Sequence, residues 1–343
     1  MKKLLVLLVS VLICANSCWV FSQEWGRSPY LTQSFPASSI NHIDIATLGG
    51  NIILTADADS IVKVEMYVSH SYWSATKIKQ VLDENYTVDI KALGRKLYIM
   101  TEHKKMISSK NQQDLSISFK IFAPKKLNSN LQTMGGSIQI SNIFGSHNLN
   151  TSGGALMVEN VSGSITGLSA GGNITVLKSD NNINLKTSVG SITAKECKGR
   201  IVLKSSGGSI NMNNLTGNID ASTVAGSLTA NEINGIITTV SSGGSVKLNG
   251  ISGDVEATAS GGILDVKLKS VNEYVRLLNS ENINLTLPAE KGYFVNVKAN
   301  NVSTSGIKDF NGTIDNKIIE GKIGAGGTRI NVRSSQRVRL TFE

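Results

Sequence analysis

From Gly135 the chain repeats itself every eighteen residues, for eight rows, without a slip in register. The rows open GGSIQI, GGALMV, GGNITV, VGSITA, GGSINM, AGSLTA, GGSVKL and GGILDV. The second column is glycine in every row, from Gly136 to Gly262, and the fourth is aliphatic in every row, from Ile138 to Leu264. A second corner follows at Gly145, Gly163, Asn181, Gly199, Gly217, Gly235 and Gly253. Two residues later comes another aliphatic column, with Ile165, Ile183, Ile201, Ile219, Ile237 and Val255. A fixed period of this length is the mark of a unit that cannot bury its apolar face alone and must stack on copies of itself.

Within each row the apolar residues alternate, as at Ile210 and Met212, then Ile219 and Ala221. That is the period of a half-buried strand. A glycine precedes each strand, with one Asn substitution, and these are the residues that tolerate positive φ at a sharp bend. Two strands and two corners per row predict one coil of an all-β fold, a single-stranded β-solenoid (β-helix) with eighteen-residue coils. Abundant glycine and few aromatics suit many tight corners filled by small aliphatics. Eight coils at about 4.8 Å each make a rod of roughly 40 Å. Cys197 shares a column with Val161, Leu215, Ile233 and Ile251, which predicts a small buried hydrophobe.

The rhythm fades after Lys269, where Val271 takes the place of the second glycine. Strand-like runs resume at 273–278 and 282–287, and the closing KIIEGKIGAGGTRINVRSSQRVRLTFE reads as a final turn with one or two strands. Upstream, HIDIATLGGNIILTA (residues 42–56) resembles one more row, 62–68 is a strand candidate, and 75–85 has helical spacing. The organisation expected is a signal peptide at 1–22, an N-terminal β-rich cap with the first coils at 40–130, and solenoid repeats with closing strands at 131–343. Solenoid ends require such caps.

Lys2 and Lys3 followed by LLVLLVSVLICA are the charged start and apolar stretch of an export signal, and cleavage is expected near Gln23. A rival reading takes Ala15-Asn16-Ser17-Cys18 as a lipoprotein box, with a lipid anchor on Cys18. No later apolar run is long enough for a membrane helix. Cys14 and Cys18 lie in the leader, so after cleavage only Cys197 remains and no internal disulfide framework is expected. The net charge of +9 falls to +7 without Lys2 and Lys3, because residues 1–22 hold no acid. A mild basic excess on an exported chain without stacking aromatics does not point to nucleic acid.

Calcium-binding nonapeptide rolls need an Asp after the paired glycines, where this chain has Ser-Ile, Asn-Ile or Ser-Val. A left-handed hexapeptide helix needs an aliphatic tenth column, which here holds Phe144, Ser162, Lys198 and Thr216. The outward fifth column is no threonine ladder of the ice-binding kind. The acids Glu159, Asp180, Glu196, Asp220, Glu232, Asp254, Glu256 and Asp265 fall in no single column, as a β-helix hydrolase or lyase would need. Asp254 and Glu256 read as solvated. His147 interrupts an aliphatic column and reads as an entry residue, and the other histidines follow no metal spacing. No catalytic, cofactor-binding or metal residues are assigned, and no cofactor is expected. Two basic patches remain, Arg329, Arg333, Arg337 and Arg339 at the end, and Arg95, Lys96, Lys104, Lys105 and Lys110 in the cap. Contact with an anionic glycan or lipid headgroup is one reading; a polar edge that blocks end-to-end strand pairing is the reading preferred.

The Ser-Gly-Gly-Ser-Ile rows, the export leader and the closing GAGGTRINV together resemble the bacterial family of unknown function numbered 4097 (DUF4097), whose members are provisionally described as adhesins. The leader ending Phe-Ser-Gln is similar to those of Bacteroidota exports. The resemblance spans about residues 40–343 and implies a β-solenoid without established catalytic residues. The function expected is therefore an exported, non-catalytic interaction module of the cell envelope or surface. Its partner would be a protein or glycan on a cell surface. The alternatives are a carbohydrate-active enzyme on a β-helix and a scaffold or sensor of an envelope regulatory system.

Overall fold

The computed structural model describes residues 28–57, 60–104, 115–289 and 292–343. The leader, with the cleavage point at Gln23 and the rival lipid site at Cys18, lies outside these residues, as do Lys105 and Lys110.

The eighteen-residue period is the pairing register. Ile174 lies beside Ile192, Ile192 beside Ile210 and Ile210 beside Leu228, always in parallel. Ile165, Ile183, Ile201 and Ile219 stack in the same way. Each early row gives one strand to a short wall (Leu156–Glu159, Ile174–Leu177, Ile192–Lys195) and one to a long wall (Ser162–Ser169, Asp180–Thr187, Lys198–Ser205). Alternation sends Ile174, Val176, Ile183 and Leu185 inward, all buried. Each contributes roughly 1.5–3 kcal/mol before chain entropy is subtracted. Cys197 is fully buried in the same core, as its column predicts.

Three later rows differ from the two-strand expectation. Ile210–Thr223, Leu228–Ser241 and Val246–Ala259 each run as one continuous strand around the second corner. The ladder passes through the bend, pairing Leu215 with Ile233 and Ile233 with Ile251. The bend itself is made by residues at positive φ, Asn214 at 53° and Gly217 at 122° in the first of these strands. The first member belongs to a column that composition alone does not reveal: Asn142, Asn160, Lys178, Glu196, Asn214 and Glu232 all lie in the left-handed region.

The first corner works differently from the bend that its glycines suggest. From Gly136 to Gly244 the second-column glycines are not at positive φ; Gly262, in the last row, is at 74°. A Cβ at Gly208 would lie 2.2 Å from the carbonyl oxygen of Gly190 in the row below, and one at Gly154 would lie 2.0 Å from that of Gly136. The second-column glycine is therefore required for close approach of backbones. The corner is sealed by a buried hydroxyl column: Thr133, Thr151, Ser169, Thr187, Ser205, Thr223 and Ser241. Each donates to a glycine carbonyl of the corner below at 2.7–3.2 Å and accepts the N–H of the glycine three residues on.

The ends close the stack on both walls. His42–Thr47 and Ile52–Ala56 lie in parallel beneath Asn128–Thr133 and Ile138–Ser141, so residues 42–56 form a row of the solenoid. Antiparallel strands cover that row, Tyr86–Leu93 against Lys96–His103 on the long wall and Ile61–Ser69 against Ser116–Ala123 on the short wall. The helix Ala75–Asn85 buries Ile78, Val81 and Leu82, and the Ser74 side chain caps it by accepting the Lys77 N–H. At the other end, the final residues do not come last in space. Thr328–Ser334 inserts between Tyr274–Asn279 and Tyr293–Lys298, and Arg337–Phe342 between Ile283–Leu287 and Asn301–Ser305. The antiparallel pair Phe310–Ile314 and Ile318–Ile323 then closes the long wall.

Candidate interaction site

The outward side of the long wall is a continuous sheet surface whose residues stack in register. Near the cap it is an amide ladder. The Asn148 amide donates to the Asn130 side chain at 3.0 Å, and Asn130 donates to the Asp44 carboxylate at 2.7 Å. Toward the C-terminal end it becomes cationic. Register places Tyr274, Arg329, Phe294 and Lys322 in one row across four strands. Leu278, Arg333 and Lys298 form a second row. Between them runs Arg276, Asn331, Asn296 and Glu320. Arg276 is held by Glu256 at 3.3 Å, with its guanidinium over the Tyr274 ring. Arg329, Arg333, Lys298 and Lys322 are exposed and form no ion pair among the described residues.

This placement corrects the reading of the C-terminal arginines in two respects. The patch is split: Arg329 and Arg333 face outward on the long wall, while Arg337 and Arg339 lie on a strand of the short wall. Neither strand is an edge, because each pairs on both sides, so edge protection does not explain the charge. Lys298 and Lys322, which join the patch, escaped the sequence reading. Their signal is alternation of Phe294, Asn296 and Lys298 in phase with Arg329, Asn331 and Arg333, and it shows only once the last strands are known to insert out of order. The cap patch is partly spent. Lys104 hydrogen-bonds the Asp83 carbonyl near the end of the helix.

The acids are dispersed, and several have structural partners. Glu232 pairs with Lys269, Glu196 with Lys195 at 3.2 Å and Asp180 with the Ser162 hydroxyl. Asp254 is not solvated as expected: it is buried and accepts the backbone N–H of Glu273 at 2.8 Å and Tyr274 at 3.1 Å. Two acids do share a surface groove of about 360 Å³, Asp180 and Glu196, together with Lys178, Lys198, Asn214 and Thr216. A second hollow of about 300 Å³, at the junction of cap and first rows, is lined by Leu48, Met100, Gln132 and Met134 among others.

His147 sits in the first row, between Ser129 and Ile165, and is buried there. It is 1 % exposed, its Nδ1 lies 2.9 Å from the Ser129 hydroxyl, and burial pushes its pKa down to about 4. The Cys197 thiol donates to the Lys195 carbonyl at 3.3 Å, and burial pushes its pKa up. Among the described residues, no group of three His, Cys, Asp or Glu side chains is placed to hold a metal ion, and no helix is long and apolar enough to cross a membrane.

No family model matches the chain, and no curated protein matches it. Solved structures do. One is provisionally described as a cell adhesion protein, from Clostridium sporogenes, at 10 % identity, covering 91 % of this chain and 99 % of that one, with a TM-score of 0.20. A Bacteroides fragilis protein provisionally described as an adhesin is 17 % identical, over 73 % of this chain and 96 % of that one, with a TM-score of 0.35. A Parabacteroides distasonis protein, provisionally described as lipid binding, is 16 % identical over 75 % and 96 %, with a TM-score of 0.35. The structural neighbours are thus bacterial proteins described in adhesion or lipid-binding terms, at low identity and low superposition, and they carry no argument about this chain's activity.

Proposed function

We propose that this chain is an exported, non-catalytic β-solenoid of the cell envelope or surface, an adhesin-like interaction module. The closing GAGGTRINV and the Ser-Gly-Gly-Ser-Ile rows place it, on this reading, with the family numbered 4097. The observation that carries the proposal is the long wall. It offers an unbroken registered surface from Lys96–His103 to Ile318–Ile323, with polar side chains repeating at the strand spacing of about 4.8 Å. Such a surface suits many weak contacts to an extended partner. The partner class is a protein or glycan on a cell surface.

The test is binding of the fluorescently labelled full mature chain to intact bacterial cells and to a glycan array, with N-terminal mass spectrometry of envelope and soluble fractions from the native host. Saturable binding, together with an N-terminus at Gln23 or a lipid on Cys18, supports the reading. A chain retained in the cytosol with an intact leader, or one that binds no surface or glycan, overturns it.

The shared position of Asp180 and Glu196 in one groove favours a second reading, a carbohydrate-active enzyme. Release of reducing ends from a polysaccharide panel, abolished by Asp180→Asn, would establish that reading in place of the first.

A further inference from the structure

We infer that the C-terminal part of the long wall binds an acidic polysaccharide, a polymer carrying carboxylates along its length. This rests on the surface-interaction reading and gives it a partner chemistry. Four cations without ion-pair partners among the described residues, Arg329, Lys322, Arg333 and Lys298, form two rows. Arg329 and Arg333 are four residues apart on one strand, so the rows stand about 13 Å apart. Asn331 and Asn296 lie side by side between them, with Arg276 and Glu320 at the two ends of that row. Amides between cationic rows match a ligand with hydroxyls between its carboxylates.

Phe294 adds an apolar surface beside the cations. It is 49 % exposed in the row with Arg329 and Lys322. Its ring tip rests against Gly326, where an added Cβ would come within 2.7 Å of Cζ. The ring is therefore pinned to the surface with part of its apolar body open, a platform for the apolar side of a sugar ring. A ring held down in this way does not project as a wedge into a bilayer. Both cationic strands that frame the site, Thr328–Ser334 and Tyr293–Lys298, are paired on each side, so the cations sit on a rigid surface and not on a loose edge.

The test uses the full mature chain and three probes: polygalacturonate, neutral dextran, and vesicles of phosphatidylcholine with phosphatidylserine. Binding to polygalacturonate, weakened by salt, with none to dextran, is expected. The triple variant Arg329→Ser, Arg333→Ser, Lys298→Ser should lose about tenfold in affinity. The matched variant Arg337→Ser, Arg339→Ser, Lys247→Ser removes the same charge from the short wall and should change affinity by less than about twofold. Unchanged melting of both variants checks that they fold. Equal losses in the two variants would reduce the effect to net charge and overturn the inference. So would a wild-type chain that ignores polygalacturonate, or one that prefers the vesicles. The same variants applied to intact cells separate the two proposals. Surface binding that survives the long-wall triple overturns this site and leaves the surface reading standing. Polymer binding without any binding to intact cells removes the cell-surface location of the partner and leaves the site.

Discussion

The Ser205 hydroxyl donates to the carbonyl of Gly190, at the first corner of its own row, at 2.9 Å and accepts the N–H of Gly208, at the first corner of the next row, at 2.9 Å. One small side chain thus satisfies two backbone groups at a corner where the ladder is interrupted. Ser205→Ala leaves both groups unpaired in a buried site, and a loss of about 1–3 kcal/mol is expected. Ser205→Thr should be near neutral, since Thr187 and Thr223 occupy the same column directly below and above. Urea denaturation of the two variants checks this, and equal destabilisation would refute the hydroxyl's role.

Gly208→Ala should cost more than Ser205→Ala. The added methyl would stand 2.2 Å from the Gly190 oxygen, and the obstacle is backbone fixed by the stack on either side. Gly207→Ala is the control, because the nearest atom to a Cβ there is 3.4 Å away. Comparable thermal midpoints for the two variants would show that the rows can separate to admit the methyl, and that the close approach at Gly208 is not required.

The solenoid was legible because its strongest constraint is written in the chain: stacking places each residue beside the one eighteen positions on, so every column must suit one environment. The helix at 75–85 was legible for the same kind of reason, with Ile78, Val81 and Leu82 on one face. The cationic site was not. Its residues come from Tyr293–Lys298, Ile318–Ile323 and Thr328–Ser334, which meet through antiparallel and inserted pairings that no period announces. The left-handed column also escaped, because Lys178 and Glu196 adopt a conformation that their residue types do not advertise.

His147 makes stability depend on pH. Its folded pKa of about 4 lies below the ordinary histidine value of 6.5, so the unfolded chain binds the proton more readily. The stability this group permits is fully present above about pH 6.5 and is lost as pH falls toward 4, by at most roughly 3 kcal/mol. His147→Ile places an aliphatic in a column that Ile165 and Ile183 already occupy, and should flatten that part of the profile. Denaturation midpoints from pH 7 to pH 4 for both proteins measure it, and parallel profiles would remove the assignment.

Asp254 marks the place where the period breaks. Val255 pairs with Val275, twenty residues on instead of eighteen, so the next row carries two extra residues ahead of its long-wall strand. The backbone there cannot follow the ladder, and the N–H groups of Glu273 and Tyr274 need another acceptor. Asp254 Oδ1 supplies it to both, at 2.8 and 3.1 Å, from a position that is solvent-facing in the earlier rows at Ser164, Asn182, Arg200 and Asn218. Asp254→Ala should cost about 1–3 kcal/mol and expose those two amides. Asp254→Asn keeps the side-chain oxygen and should cost less. Hydrogen exchange resolved to Glu273 and Tyr274 reads the local effect directly. Faster exchange confined to these residues in Asp254→Ala, with the rows before Gly253 unchanged, is the expected pattern. Unaltered exchange at both would mean that the carboxylate does not hold the insertion in place.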